Sequence, residues 1–305
     1  MTSAADLLAA CSFPRPGSLV DVAVSGGPDS LGLLLLARDA GLEVRVHHVD
    51  HHVRASSTED ADFVVALAHE MGLSVVVHDV YLEAGPNFEA RARSERRRVL
   101  PEGTLTGHTM DDLVETVLLN MLRGAGVEGL SPMVDDPTKP LLDVRRGDLH
   151  EFVAARGYRA RHDETNDDLT YRRNRVRHQV LPLLNAVAER DVVPLLARQA
   201  ANLYEDRAWL GELLAGDVAL RLEEADCREL RSWPEARLKR WLRAHLAARD
   251  ELGDDHPPSR AALERALRVV RGDVAAAELE GGRRLSRTNQ RLALEDGSTT
   301  LSGHG

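Results

Sequence analysis

The sequence predicts an α/β fold: a parallel sheet with helices on both faces, followed by a smaller, mainly helical C-terminal domain. Three observations carry this. Over residues 19–122, short β-branched apolar runs alternate with segments of helical periodicity, the pattern of a parallel sheet built through helical crossovers. Aromatic residues are only 4% of the 305, against 43% apolar, so the core is built from Leu, Val and Ala, which suits helices packed on a sheet. From residue 199 to about 271 the pattern is helical throughout, rich in the helix formers Ala, Leu, Arg and Glu.

In chain order, residues 19–24 read as a strand that ends in a Gly-rich turn, and residues 31–40 as the helix that follows. Residues 42–49 give a second strand. Residues 58–71 give a helix with Ser57 or Thr58 as N-cap, and residues 73–80 a third strand. A helix is expected over 87–100, the end of a short strand over 104–106, and a further helix over 110–122. Residues 124–140 read as a loop, 148–157 as a helix and 161–170 as a polar loop. Pro182 and Pro194 make 180–198 a broken helix or linker. Leu203, Leu210, Leu213 and Leu214 suggest one buried stripe, and 278–294 a small hairpin around Gly281-Gly282. Two domains are expected, 1–188 and 189–305.

Composition narrows the function classes. Cys11 and Cys227 are the only cysteines and lie far apart, which argues against a disulfide framework, a four-cysteine zinc site and a Cys-x-x-Cys redox pair. No apolar run approaches the roughly 20 residues needed to cross a bilayer, and the N-terminus lacks a basic start leading into an apolar stretch. A cytoplasmic location without a membrane partner is the expectation. The formal net charge of −10 argues against a nucleic-acid partner on average. Arginines nevertheless cluster, at Arg91, Arg93, Arg96, Arg97 and Arg98, and at Arg172, Arg173, Arg175 and Arg177, as solvated helix faces or as binding surfaces. His47, His48, His51 and His52 are not read as a zinc site, because neighbours in a strand point to opposite faces and no cysteine assists. The Arg-Gly-Asp strings at 146–148 and 271–273 receive no functional reading.

The strongest local signal is Ser25-Gly26-Gly27-Pro28-Asp29-Ser30, which joins a buried strand to a helix N-terminus. Gly26 and Gly27 let backbone N–H groups approach an anion, and the helix start adds about half a positive charge. Ser25 and Ser30 supply hydroxyl donors. No lysine stands nearby, so this is not a Walker A loop. Asp29 beside a phosphate cradle would repel its ligand unless a cation intervened, and Mg²⁺ is the natural one. A second signal lies at His108-Thr109-Met110-Asp111-Asp112-Leu113-Val114-Glu115. His108, Asp112 and Glu115 follow i, i+4, i+7, so one helix face presents an imidazole and two carboxylates, suited to a cation or an amine. The blander reading is a capped amphipathic helix whose acids favour its own N-terminus.

The 25–30 string resembles the signature of the PP-loop ATP pyrophosphatases, whose fold is a Rossmann-like parallel sheet and which split ATP between its α- and β-phosphates. Further strings narrow the resemblance: Asp50-His51-His52-Val53-Arg54, Glu89-Ala90-Arg91-Ala92-Arg93, Leu122-Arg123-Gly124-Ala125-Gly126, Lys139-Pro140-Leu141-Leu142, Asp163-Glu164-Thr165-Asn166 and Tyr171-Arg172-Arg173-Asn174-Arg175-Val176-Arg177. Together, over residues 20–184, they are similar to the tRNA(Ile)-lysidine synthetases. That family joins free L-lysine to C2 of the wobble cytidine in a tRNA(Ile) with a CAU anticodon, through an adenylated cytidine, releasing AMP and pyrophosphate.

The resemblance implies ATP and Mg²⁺ as cofactors, with ATP on Ser25, Gly26, Gly27, Pro28, Asp29 and Ser30, and the metal near Asp29 and Asp111. It implies that Asp112 and Glu115 grip the substrate lysine, that His108 contacts phosphate or substrate, and that Arg173 and Arg177 neutralise phosphate or hold the anticodon loop. It also implies tRNA contact by the C-terminal domain and allows a homodimer. The chain departs from the family pattern at Arg97, where tyrosine is usual, at Lys139, where arginine is usual, and at His52, where glycine is usual. Two rival readings are a PP-loop tRNA thiolation enzyme, against which the placement of the two cysteines weighs, and a tRNA- or nucleotide-binding protein without catalysis.

Overall fold

A computed structural model describes residues 2–52, 57–81, 88–161, 167–249 and 255–296. The chain forms two compact units, Met1–Arg207 and Ala208–Gly305.

The first unit is organised by three parallel strands, β1 (Leu19–Ala23), β2 (Glu43–Asp50) and β3 (Ser74–Asp79), in the order β1-β2-β3. Val22 pairs with Val46, and Val46 with Val75. The strand expected over 104–106 is reduced to a single parallel bridge, Leu105 to Val22, on the free side of β1. Leu105 N–H donates to Asp21 O at 2.8 Å, and Ala23 N–H to Leu105 O at 2.9 Å. The chain therefore leaves β1 in one direction and returns on its other side, which makes a switch point where ligands of open α/β sheets bind.

Alternation along the strands separates two faces. Val22, Val44 and Val46 are buried in one core with four helices, α1 (Ala4–Ala9), α2 (Pro28–Asp39), α3 (Ser57–Glu70) and, later in the chain, α7 (Arg146–Ala155). Leu31, Leu33, Leu34 and Leu36 of α2 are all fully buried, as expected of a helix that is apolar around its circumference. The opposite face carries a polar chain. Asp21 accepts from Arg45 Nε at 2.5 Å, His47 Nε2 lies 2.8 Å from Asp21, and His47 Nδ1 lies 2.9 Å from His78 Nε2.

After α4 (Phe88–Val99), helix α5 (Met110–Leu122) begins at an N-cap, Thr109. The 124–140 segment holds one short helix, α6 (Val127–Leu130). The region of Pro182 and Pro194 is the broken helix expected, with the break at 189–192, where Glu189 takes a left-handed conformation (φ 52°). Arg172–Arg175 (α8) runs through a π-helical turn, Val176–Val180, into α9 (Leu181–Ala188), and α10 spans Val193–Leu213. Pro194 sits in the first turn of α10, where a missing N–H costs nothing, whereas Pro182 lies inside a continuous helical run directly after the π-helical turn. Val193, Ala197 and Ala200 of α10 are buried in a second core with Val114 and Val117 of α5. This packing carries the first unit to Arg207, beyond the boundary expected at 188/189.

The second unit packs α11 (Ala215–Ala219), α12 (Cys227–Leu230), α13 (Glu235–Leu246) and α14 (Arg260–Arg271) around Leu230, Trp241, Leu242 and Leu285. Besides a two-residue pair, β4 (Ala248–Arg249) and β5 (Asp255–His256), it holds a three-stranded antiparallel sheet. Its strands are β6 (Ala276–Glu278), β7 (Arg284–Thr288) and β8 (Arg291–Glu295). The expected hairpin is present within it. Its tight turn is Asn289-Gln290, both at positive φ (50° and 65°), as a primed turn requires, while Gly281-Gly282 joins β6 to β7. Among the described residues no helix is long and apolar enough to cross a membrane.

Candidate active site

The loop at 25–30 leaves β1 and enters α2 as expected. Gly26 sits at φ +87°, a conformation only glycine adopts readily, and a Cβ there would come within 3.3 Å of the Phe63 ring. Gly27 caps α2 without a side-chain hydrogen bond, so the first-turn N–H groups stay available to an anion. Ser30 Oγ donates to Gly27 O at 2.9 Å and lies 3.2 Å from Ser25 Oγ. Its single proton is thus spent on bracing the loop, which leaves backbone N–H groups as the loop's main donors for an anion. Asp29 is half-buried, with His150 Nε2 2.7 Å from Oδ1 and Arg146 Nε 3.5 Å from Oδ2.

The strand-like segment at Leu105 delivers the second half of the site. Thr106 N–H donates to Thr138 O at 2.8 Å and Met110 N–H to Val144 O at 3.0 Å, stitching the approach to α5 onto the approach to α7. Leu141 and Val144, in and just after the Lys-Pro-Leu-Leu string, anchor that approach in the core. A Cβ on Gly107 would lie 2.7 Å from Asp29 O and 3.1 Å from Ser30 N, so this glycine sets the spacing between the two halves. Gly107→Ala is expected to push the α2 start away, costing about 1–3 kcal/mol as overpacking does and weakening nucleotide affinity; thermal denaturation and nucleotide titration check it. Wild-type values in both would mean that the contact yields freely.

Ser25, Asp29, Ser30, His108 and Asp112 line one cleft of about 210 Å³, together with His47 and Arg96. His108 does not share the α5 face. It precedes the N-cap, with Nδ1 2.9 Å from Thr106 Oγ1, and still lines the cleft.

Asp112 and Glu115 do share a face of α5, and Asp112 divides its two oxygens between the helix cap and the arginines of the cleft wall. Its Oδ2 accepts from Thr109 N–H and Oγ1, each at 2.8 Å, forming a capping box. Its Oδ1 accepts from Arg146 Nη2 at 2.7 Å and Arg173 Nη2 at 2.9 Å. Glu115 is 0% exposed. It accepts from Arg146 Nη1 at 2.9 Å, Arg173 Nε at 2.8 Å, and Arg177 Nε and Nη2 at 2.7 and 3.1 Å. Three guanidinium groups thus enclose two carboxylates. Burial alone would raise both acids, but Arg146 and Arg173 at Asp112, and Arg177 and Arg146 at Glu115, outweigh it and hold both well below the usual carboxylate range. Burial likewise works against the Arg146 cation, and Asp112 and Glu115 reverse this, so its pKa is raised.

Asp111, expected beside the metal, faces elsewhere. Its oxygens accept from Arg145 Nε and Nη2, each at 3.2 Å, and from the Arg146 backbone N–H at 2.8 Å. Asp29 is therefore the one of the two expected metal residues that lines the cleft, and as a single carboxylate it fits a Mg²⁺ held mainly by phosphate oxygens and water. The histidines diverge as alternation requires: His48 Nδ1 lies 2.8 Å from Val24 O, on the face opposite His47. His52, at φ 50°, bridges Asp50 and Asp79, and these three are the one metal-type grouping among the described residues. The 163–166 string, Val53 and Arg54 lie outside the described residues.

Sequence reasoning passed over Arg146, His150 and Arg96 as site residues. Arg146 stood in a discounted Arg-Gly-Asp string, and nothing local to it signals that its helix start is tied to α5. Arg96 belonged to a recognised arginine cluster without being singled out.

The PP-loop domain family matches residues 2–184, more than half of the chain. The tRNA(Ile)-lysidine synthase of Thermobifida fusca is 39% identical over 208 residues, 62% of this chain and 64% of its own. That of Leifsonia xyli is 34% identical over 256 residues, 76% of this chain and 77% of its own. The chain spans 64%, 48% and 65% of the length of three such relatives, less than two thirds of each. A U34-tRNA thiolase from Methanococcus maripaludis, solved with its 4Fe-4S cluster, superposes with a TM-score of 0.53 at 17% identity, covering 63% of this chain and 73% of that one. At that identity it shows the shared fold alone. The phosphate-loop architecture and these sequence relationships agree: the chain belongs to the PP-loop family, in its tRNA(Ile)-lysidine synthase branch.

Proposed function

We propose that this protein ligates L-lysine to C2 of the wobble cytidine of a tRNA(Ile) with a CAU anticodon, consuming ATP and releasing AMP and pyrophosphate. The observation that carries the reading is a single cleft lined by an anion-binding loop with Asp29 and by Asp112, which shares Arg146 and Arg173 with the buried Glu115. The loop suits the phosphates of ATP, and Mg²⁺ on Asp29 would neutralise charge as the α–β bond breaks. The cytidine O2 attacks the α-phosphorus and pyrophosphate leaves. The lysine ε-amine then attacks C2, AMP departs with the O2 oxygen, and the amine loses a proton. Asp112 and Glu115 orient the ammonium, Arg173 supplies positive charge against phosphate, and His108 contacts phosphate or substrate from the cleft wall. The unit Ala208–Gly305 supplies the tRNA contact in this reading.

Sulfur transfer fits less well. Cys11 is pushed up to about 12 by burial, with the charge of Asp143 adding, and Cys227 is raised by burial in the core of the second unit. Neither is a ready thiolate, and neither lines the cleft. Incubation with ATP, labelled lysine and tRNA(Ile) bearing CAU is expected to place one label per tRNA, with pyrophosphate released in step. Folded protein that incorporates no lysine would defeat the proposal, and sulfur incorporation would replace it.

A further inference from the structure

The acid pair is saturated. Each oxygen of Asp112 and Glu115 already accepts two donors, and three cations face two carboxylates. A substrate ammonium added to this cage would be a fourth cation with no free lone pair to meet it. One guanidinium has to yield. Arg173 and Arg177 come from one continuous helical turn, pinned by buried Val176 and by Asn174 Nδ2, which donates to Asp168 O at 2.8 Å. Both direct Nε at Glu115. Arg146 comes from another helix. Like Arg173 it bridges the two acids, but it does so with both terminal nitrogens, and its buried Nε makes no hydrogen bond. That Nε faces Asp29 at 3.5 Å, on the phosphate-loop side of the cleft. Its backbone is fixed, because its N–H donates to Asp111, which Arg145 clamps. Only the side chain is free to turn.

We propose that Arg146 is the resident cation of the amine site: the substrate ammonium displaces it from Asp112 and Glu115, and its guanidinium turns to the phosphates bound beside Asp29. This rests on the lysine-ligase reading. Its consequence is coupling. Phosphate gives the displaced guanidinium a partner, so nucleotide favours amine binding, and by linkage amine favours nucleotide. The cleft thereby holds the amine tightly only when ATP is present to be consumed. Arg146 is a positioning residue for the amine and a direct contact for phosphate.

The test is calorimetric titration of the full chain with L-lysine, with and without an ATP analogue bearing a methylene bridge between the α- and β-phosphorus. In the wild type the analogue should tighten lysine binding. Arg146→Met, which keeps bulk and removes charge, should bind lysine about tenfold more tightly without the analogue, as when a minor competent state of about one tenth is made the only one. It should also show no further gain from the analogue. Arg146→Lys should return both the weaker affinity and the coupling. A structural role would instead weaken lysine binding in Arg146→Met and leave the wild type uncoupled, and either result overturns the proposal. Should Arg146→Met not fold, the same two measurements on Arg146→Gln apply, and the wild-type coupling needs no variant. Wild-type protein that neither binds nor incorporates lysine defeats the ligase reading itself, and this inference with it. Lysine incorporation without coupling defeats the inference alone.

Discussion

Asp29→Asn is expected to cut pyrophosphate release about a thousandfold, the scale of the several kcal/mol that a metal contributes to a charged transition state, while the protein stays folded and tRNA binding is largely intact. The expectation follows from where the side chain stands. Asp29 lies in the first turn of α2, half-buried, and its contacts are His150 and Arg146 on α7. An acid at that position stabilises a helix by about 0.3–1 kcal/mol, and asparagine keeps an oxygen for His150, so little stability is lost. The anion cradle itself is backbone and is untouched. What disappears is the one carboxylate expected beside the metal that also lines the cleft. Pyrophosphate release measured with saturating tRNA and ATP, beside a tRNA binding isotherm, checks it. Loss of both together would place Asp29 in tRNA recognition, and an unchanged rate would remove it from the adenylating machinery.

Much of this was legible in the sequence because local rules fix it. The 25–30 loop could be read because only glycine takes the φ of Gly26, and the strand before it and helix after it declare themselves by periodicity. Asp112 and Glu115 could be paired because α5 places them three residues apart on one face. What could not be read was created by long-range stitching. Leu105 adds one bridge beside β1, and Gly107 leans on Asp29. The 138–144 segment then follows that path, bringing Arg146 to carboxylates 31 and 34 residues earlier. The choice of Asp111 as a metal residue failed to foresee Arg145 for the same reason. The break expected within 180–198 was legible, because Pro194 starts α10 just after it, but the helical run that carries Pro182 through a π-helical turn was not.

Glu115→Ala is expected to cost the most stability of any single change in the site. Glu115 is fully enclosed and accepts from Arg146, Arg173 and Arg177. Removing it leaves three partly buried guanidinium groups facing the single charge of Asp112, and stripping a fully buried partner from an ion network costs up to about 3–5 kcal/mol. In a unit of this size that lowers Tm by roughly 10 °C. Glu115→Gln keeps shape and one acceptor, so it should fall between wild type and alanine. Acid distinguishes charge from packing. Unfolded glutamate and aspartate titrate near pH 4.3 and 3.9, and Glu115, Asp112 and Asp111 are all held below those values in the fold. Their contribution is therefore complete above about pH 5 and is lost as pH falls through the lowered folded values. Wild-type stability, followed by urea denaturation, should drop steeply from pH 5 to pH 3, and Glu115→Gln should drop less steeply because one of the protons bound on unfolding is gone. Equal slopes would mean that the cage holds its acids without drawing stability from their charge, and the three arginines would then have to be explained by the phosphate and amine they meet in turnover.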